Sequence, residues 1–301
     1  MPDAIKTVAF IGVGTMGKPM ARNLLKGGFA LRIHDLMPEA GEDLVREGAA
    51  WAASPAEAAR GADCVITMLP NGPHVEEAVF EKTGIAEGIA KQAIYIDMST
   101  IAPGVTDSIA QRLGARGVTM LDAPVGRLPQ HAVEGKLLIM VGGDAEALER
   151  TRPVFEKLGD TIVHCGPVGS GARMKLVNNF MSITLNATTA EALTLAEASG
   201  VDPELARKVM LGTAAGQGHM GSTYPAKVLK GDLTPGFMID LAAKDLGLAL
   251  ELGEQLGLDL ATGRGAQGKY AEAREHGHGR SDWTALYAHA RDRIKARKTR
   301  A

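Results

Sequence analysis

The feature that most constrains this chain is a strand, a glycine turn and a helix written in immediate succession near its start. Residues Thr7 to Gly12 read TVAFIG, the turn Gly12-Val13-Gly14-Thr15-Met16-Gly17 follows, and Pro19 to Leu25 carry helical spacing. A second short strand, Ala30 to Asp35, completes a βαβ unit. In such a unit Gly12 permits the tight turn, Gly14 lets backbone approach a ligand, and Gly17 lets the helix pack against the strand. The turn N–H groups, through Thr15 and Met16, and the positive helix end then face an anion. Asp35 stands at the end of the second strand, where a carboxylate holds ribose hydroxyls and repels the extra phosphate of NADP. The pattern therefore predicts a dinucleotide site that takes NAD, although Arg32 and His34 oppose part of the charge argument.

The alternation continues. Strand-like runs at Asp63 to Pro70, Ala93 to Ser99 and Val118 to Val125 are separated by helix-compatible segments such as Asp107 to Leu113. A further strand, Lys136 to Gly142, leads to a helix at Ala145 to Leu158 and a last strand at Thr161 to Cys165. Strands alternating with helices predict a parallel, doubly wound Rossmann-type sheet of the α/β class. After Gly166 the pattern changes. From Gly171 to Ser199 no proline and no further glycine occurs, which predicts one long helix, and the rest of the chain is helical in pattern. The glycines between Gly166 and Gly171 make a hinge, so the expected domains are residues 1–166, binding NAD, and an all-helical 167–301 for substrate and dimerisation.

The 301 residues suffice for two domains, and 45% hydrophobic with 23% charged residues is ordinary globular composition. Thirty-three basic against thirty-five acidic side chains give a net charge of −2, which argues against nucleic acid or an anionic membrane as partner. The basic run Arg291 to Arg300 reads as a solvated, fraying helix end. No apolar run approaches the ~18 residues of a membrane span. The two cysteines, Cys64 and Cys165, lie in apolar strand-like stretches and read as reduced core residues, consistent with a cytoplasmic protein.

Within the long helix Lys175, Asn178, Asn179, Ser182 and Asn186 fall at i, i+3, i+4, i+7 and i+11 and share one face. The other faces carry Met174, Leu176, Val177, Phe180, Met181, Ile183 and Leu185, which predicts a buried helix. A polar stripe there either lines a wet binding cleft or forms a hydrogen-bonded seam against a neighbouring helix or subunit. Lys175 suits the seam least. Beside a nicotinamide it can give a proton to a carbonyl oxygen as hydride reaches the carbon, with Asn179 one turn on holding substrate or lysine. At the end of the fifth strand, Asp122-Ala123-Pro124-Val125-Gly126-Arg127-Leu128-Pro129 offers Arg127 to the substrate side, where its planar fork suits carboxylate, sulfonate or phosphate. Ser99 and Thr100 can add hydroxyls. No His, Cys, Asp or Glu cluster has metal-ligand spacing; His276 and His278 read as surface residues.

These motifs together resemble the β-hydroxyacid dehydrogenase family, related to 3-hydroxyisobutyrate dehydrogenase, over nearly the whole chain. The marks are FIGVGTMGKPMARNL from Phe10, MLP from Met68, DMST from Asp97, DAPV from Asp122, GSGARMKLVNN from Gly169 and KDLGLAL from Lys244. The resemblance implies Lys175 as acid/base, Asn179 as its substrate-binding neighbour, Leu69 and Thr100 beside NAD, and Lys244 near cofactor and substrate. It also implies a homodimer or homotetramer joined through the helical domain, where apolar faces such as Leu246 to Leu256 meet a partner. One departure is informative: where most of the family has Ser-Gly-Gly after proline and valine, this chain has Gly126-Arg127-Leu128. That loop resembles the subgroup that reduces 3-sulfolactaldehyde in sulfoquinovose breakdown, in which the arginine is expected to grip the sulfonate with Asn178, Asn179 and Ser182 nearby. The subgroup loop reads Gly-Arg-Thr; Leu128 replaces the threonine and removes a hydroxyl.

The expected activity is NADH-dependent reduction of a short anionic aldehyde, 3-sulfolactaldehyde first, with succinic semialdehyde, tartronate semialdehyde and 3-hydroxyisobutyrate as alternatives. A non-catalytic NAD-binding reader on the same fold is the competing class. Retention of Lys175 argues against it.

Overall fold

The computed structural model describes residues 4–298, with the side chains of all of these except 248 and 294–298. The end of the basic run Arg291 to Arg300 therefore lies outside the described residues, and nothing tests its reading as a frayed end. By compactness the chain divides into residues 1–180 and 181–301, the division falling inside the long helix Ser170–Ala198.

Residues 1–180 are built on nine strands: β1 (Thr7–Ile11), β2 (Ala30–His34), β3 (Ala50–Trp51), β4 (Cys64–Thr67), β5 (Ile94–Asp97), β6 (Thr119–Asp122), β7 (Val125–Gly126), β8 (Leu137–Gly142) and β9 (Gly159–Gly166). The order β3-β2-β1-β4-β5-β6 is parallel throughout, and β8 then joins β6 antiparallel while pairing with β7 and β9. This is the doubly wound order that reverses direction between β1 and β4 and opens a crevice there. Each face of the sheet has its own core, because strand residues alternate. Val8 and Phe10 of β1 join one cluster with Ile66 and Ile96, whereas Ala9 and Ile11 join the other with Val65 and Tyr95. Helix Gly17–Lys26 buries Met20, Ala21 and Leu24 against the first of these faces.

Two expectations are corrected. The run Val118 to Val125 is two strands rather than one, since Pro124 has no N–H to continue a ladder; its carbonyl instead accepts from Met140 N at 3.0 Å. Cys64 is fully buried as expected, but Cys165 is only partly buried, on the terminal strand β9.

The described part of residues 181–301 is helical, with Pro203–Leu211, Ile239–Gln255, Ala261–Ala273 and Ala285–Lys298 as the principal elements. Their core is small: Ile239, Ala273 and Ala285, with Leu233, Tyr270, Trp283 and Leu286 packed around them. Buried Asp282 braces it by accepting from Gly236 N at 2.9 Å and Thr284 Oγ1 at 2.6 Å. Glu191, on the long helix, accepts from Thr262 N at 2.8 Å. The long helix itself is not buried in the single chain. Val177, Phe180 and Ile183 are 64%, 73% and 67% exposed, because an apolar face demands some partner but does not specify one from the same chain. Among the described residues no helix is long and apolar enough to cross a membrane.

Candidate active site

The turn between β1 and helix Gly17–Lys26 is held by close contacts. Gly12 has φ +93° and donates to His34 O at 2.9 Å, and a Cβ on Gly17 would overlap the Gly12 carbonyl. Among the described residues the amides of Gly14, Thr15 and Met16 donate to no protein acceptor, and the first turn of the helix contains no acidic side chain. The positive end of the helix dipole is thus uncompensated and open. It faces a cleft of about 700 Å³ lined by Gly12, Gly14, Thr15, Met16, Gly17, Asp35 and Leu69. This cradle fits a pyrophosphate: backbone donors without acceptors, and at Gly14 no atom in the space a Cβ would occupy.

Asp35 reaches the same cleft. One carboxylate oxygen accepts from Val13 N at 2.8 Å and the other from Met37 N at 3.0 Å, so the group is fixed at the end of β2. The flanking bases are engaged elsewhere, His34 with Ala52 O at 2.9 Å and Arg32 with Arg60 O. Ser54, Pro55, His74, Glu77 and Thr83 also line the cleft and were missed in the sequence reading. The Ser-Pro start of helix Pro55–Ala59, with Ser54 Oγ accepting from Glu57 N at 3.2 Å, is a legible capping signal but carries no cofactor signature.

Beneath Leu69 lies a buried polar network. Leu69 N donates to Ser99 Oγ at 2.9 Å, Ser99 N donates to Asp97 Oδ1 at 3.1 Å, and Thr67 Oγ1 donates to the same carboxylate oxygen at 2.8 Å. Burial pushes the Asp97 carboxyl up, against the bonds from Ser99 and Thr67 that favour its anion. Ser99, 3% exposed, thus braces the cleft wall from behind. Thr100 is exposed and does not line the cleft.

Gly126 is buried on β7, and Arg127 follows it with φ +77°, left-handed for a residue that bears a side chain. Its guanidinium does not reach the cleft: it pairs with Asp160 at 2.7 Å, donates to Thr161 Oγ1 at 3.2 Å and contacts Lys136 O. The arginine expected from the sequence to meet a substrate anion is paired with Asp160, because Asp160 at the start of β9 lies within reach of β7 through β8. Leu128 is 67% exposed.

On the long helix Lys175 and Asn179 are half-buried, and Asn178 and Ser182 are exposed. Burial lowers the Lys175 ammonium below its ordinary value. Asn178 Nδ2 donates to Asn179 Oδ1 at 3.4 Å. Lys244 lies in residues 181–301, exposed and paired with Asp245 at 2.8 Å. Among the described residues no cluster of His, Cys, Asp or Glu is arranged to hold a metal ion.

The family model for the NAD-binding domain of 6-phosphogluconate dehydrogenase matches residues 7–166, and that for the NAD-binding domain of NADP-dependent 3-hydroxyisobutyrate dehydrogenase matches 169–290. The chain is 48% identical to 3-sulfolactaldehyde reductase of Escherichia coli, over 94% of this chain and 95% of that one. It belongs to the 3-hydroxyisobutyrate dehydrogenase-related family. NAD-dependent L-serine dehydrogenase of Pseudomonas aeruginosa is 38% identical over 94% of this chain and 97% of its own length. The structure of Mycobacterium tuberculosis 3-hydroxyisobutyrate dehydrogenase with L-serine superposes with a TM-score of 0.67 at 33% identity, covering 95% and 99% of the two chains. As a member of this β-hydroxyacid dehydrogenase family the protein is an NAD-dependent oxidoreductase acting on CH–OH groups.

Proposed function

We propose that this dehydrogenase uses NADH to reduce a short aldehyde bearing a terminal anion, 3-sulfolactaldehyde to 2,3-dihydroxypropane-1-sulfonate before others. The observation that carries the reading is Lys175, a half-buried ammonium in the first turns of the long helix whose desolvation favours release of its proton. NADH held in the cleft by the glycine turn and Asp35 would supply the hydride for the carbonyl carbon. Lys175 Nζ gives its proton to the carbonyl oxygen, and Asn179, one turn on, orients substrate or lysine. Residues 1–166 serve as the NAD-binding domain, with Gly12, Gly14, Thr15, Met16 and Gly17 around the pyrophosphate, Asp35 on the ribose, and Leu69 nearby. Residues 167–301 serve substrate binding and dimerisation, and Lys244 acts near cofactor and substrate.

Arg127 binds the substrate anion, supported by Gly126, Asn178 and Ser182, by exchanging Asp160 for it, while Ser99 acts only by fixing Leu69. The pair is partly exposed, and such ion pairs contribute only about 0–1 kcal/mol, so the exchange costs little. The 48% identity to 3-sulfolactaldehyde reductase supports the sulfonate, and the missing hydroxyl at Leu128 favours a carboxylate. NADH oxidation with 3-sulfolactaldehyde and with succinic semialdehyde decides. A kcat/KM at least about tenfold higher for the sulfonate, some 1.4 kcal/mol of discrimination, is expected. Equal values would overturn the sulfonate assignment.

The exposed Val177, Phe180 and Ile183 support a homo-oligomer, dimer or tetramer, built over the long helix by a second copy of the chain. Small-angle scattering should return at least twice the monomer mass, and Phe180→Asp should shift it towards monomer.

A further inference from the structure

We infer that Asp122 is a positioning residue for the proton donor: from the end of β6 its carboxylate holds the first turn of the helix that carries Lys175. The inference rests on Lys175 being that donor. Asp122 is 1% exposed, and its two oxygens are spent on one task. Oδ1 accepts from Gly169 N at 2.6 Å and Oδ2 from Ala172 N at 2.7 Å. These are short, charge-assisted bonds to a helix end whose dipole favours an anion.

Other side-chain caps on helices of residues 1–180 are local: Ser54, Asn71 and Asp144 each close the helix they precede, and His131 caps its own from within. The long helix is preceded by Gly169, which has no side chain to offer, and its cap comes from 47 and 50 residues away in sequence. A local cap stabilises a helix wherever the helix lies. A cap from a central strand ties it to the sheet instead. Gly171 sharpens the tie, since a Cβ there would strike Met140 O and Asp122 O, so the helix start is pressed directly onto β8 and β6. Lys175 lies three residues beyond Ala172, less than one helical turn, so any play at the anchor passes to its Cα almost undiminished. A second tether on the same turn, Arg173 to Asp107 at 2.7 Å, is exposed and stabilises little.

Asp122→Asn keeps the shape but presents an amide nitrogen to a backbone N–H. A misplacement near 1 Å costs about a hundredfold in rate, so kcat per NADH-binding site should fall about ten- to a hundredfold while the NADH Kd and the aldehyde KM stay within about twofold. A merely structural loss would lower the number of NADH-binding sites and leave kcat per site unchanged, and that result would overturn the inference. Arg173→Ala, the control, should retain kcat within about twofold. If Asp122→Asn does not fold, Asp122→Ser, which keeps one acceptor without adding bulk, is read by the same criterion. Lys175→Ala is assayed alongside. Should it retain turnover, the proton-donor reading falls and this inference with it; should it be inactive while the Asp122 variant keeps wild-type kcat per site, only the inference falls.

Discussion

Two strand-to-helix junctions in residues 1–180 share a plan and differ in what meets the first amides of the helix. At the first, β1 passes through Gly12, Gly14 and Gly17 into helix Gly17–Lys26; at the second, β9 passes through Gly166 and Gly169 into helix Ser170–Ala198. Both present backbone N–H groups and a positive dipole end. Among the described residues the first holds no carboxylate in its helix turn, and its amides at Gly14, Thr15 and Met16 have no protein acceptor. The second is filled from within by Asp122. An open helix end offers donors to an anion from outside the chain, whereas a filled one is a joint. What decides between them is a single acid on β6.

The largest test of that contrast removes the group the joint is meant to serve. Lys175→Ala should lower kcat by about 10²–10⁴-fold with NADH binding intact, measured by NADH fluorescence and steady-state rates. Wild-type reduction should also lose rate with rising pH. With Lys175 as the proposed acid and burial lowering its pKa, the rate should be full while it is protonated and fall through a limb lying below the ordinary lysine value of 10.5. The residual activity of Lys175→Ala should lack that limb.

Next in size is a change that makes the first junction resemble the second. Gly14→Asp meets no atom where its Cβ would go, so the fold should survive, but its carboxylate would confront the pyrophosphate. Like charges set against each other cost several kcal/mol, so the NADH Kd should rise by about a hundredfold in titration; an unchanged Kd would mean that the open helix end is not the phosphate site.

Smaller effects are expected on the substrate side. Arg127→Ala should raise the KM for anionic aldehydes about tenfold with a smaller change in kcat, since it removes a contact made both before and in the transition state. Leu128→Thr should have the least effect, about two- to fivefold lower KM for a sulfonate, within the ~1 kcal/mol of one added hydrogen bond. A threonine would also provide the capping hydroxyl that helix Pro129–Val133 lacks, so its melting temperature should not fall.

The parts of the molecule legible in the sequence are those whose contacts are local. The glycine turn, Asp35 and the helix Ala145–Leu158 were readable because each depends on residues within one βαβ unit or on its own capping residue, Asp144, which accepts from Ala147 N at 3.0 Å. Leu69 was readable only through resemblance, and the network that fixes it, Thr67, Asp97 and Ser99, joins two strands whose pairing no local pattern specifies. Arg127 was legible as a residue at a strand end but not as the partner of Asp160, which stands 33 residues on.

The sequence by itself determined the alternating α/β architecture, the glycine turn that opens the first helix and the presence of Lys175 on a long helix, because periodicity and glycine spacing are properties of neighbouring residues. Only the tertiary structure decided which helix end stays open. Asp122 is an unremarkable strand-end acid until β6 comes beside β8 and Gly171, and a buried carboxylate must then find donors, which the start of the long helix supplies.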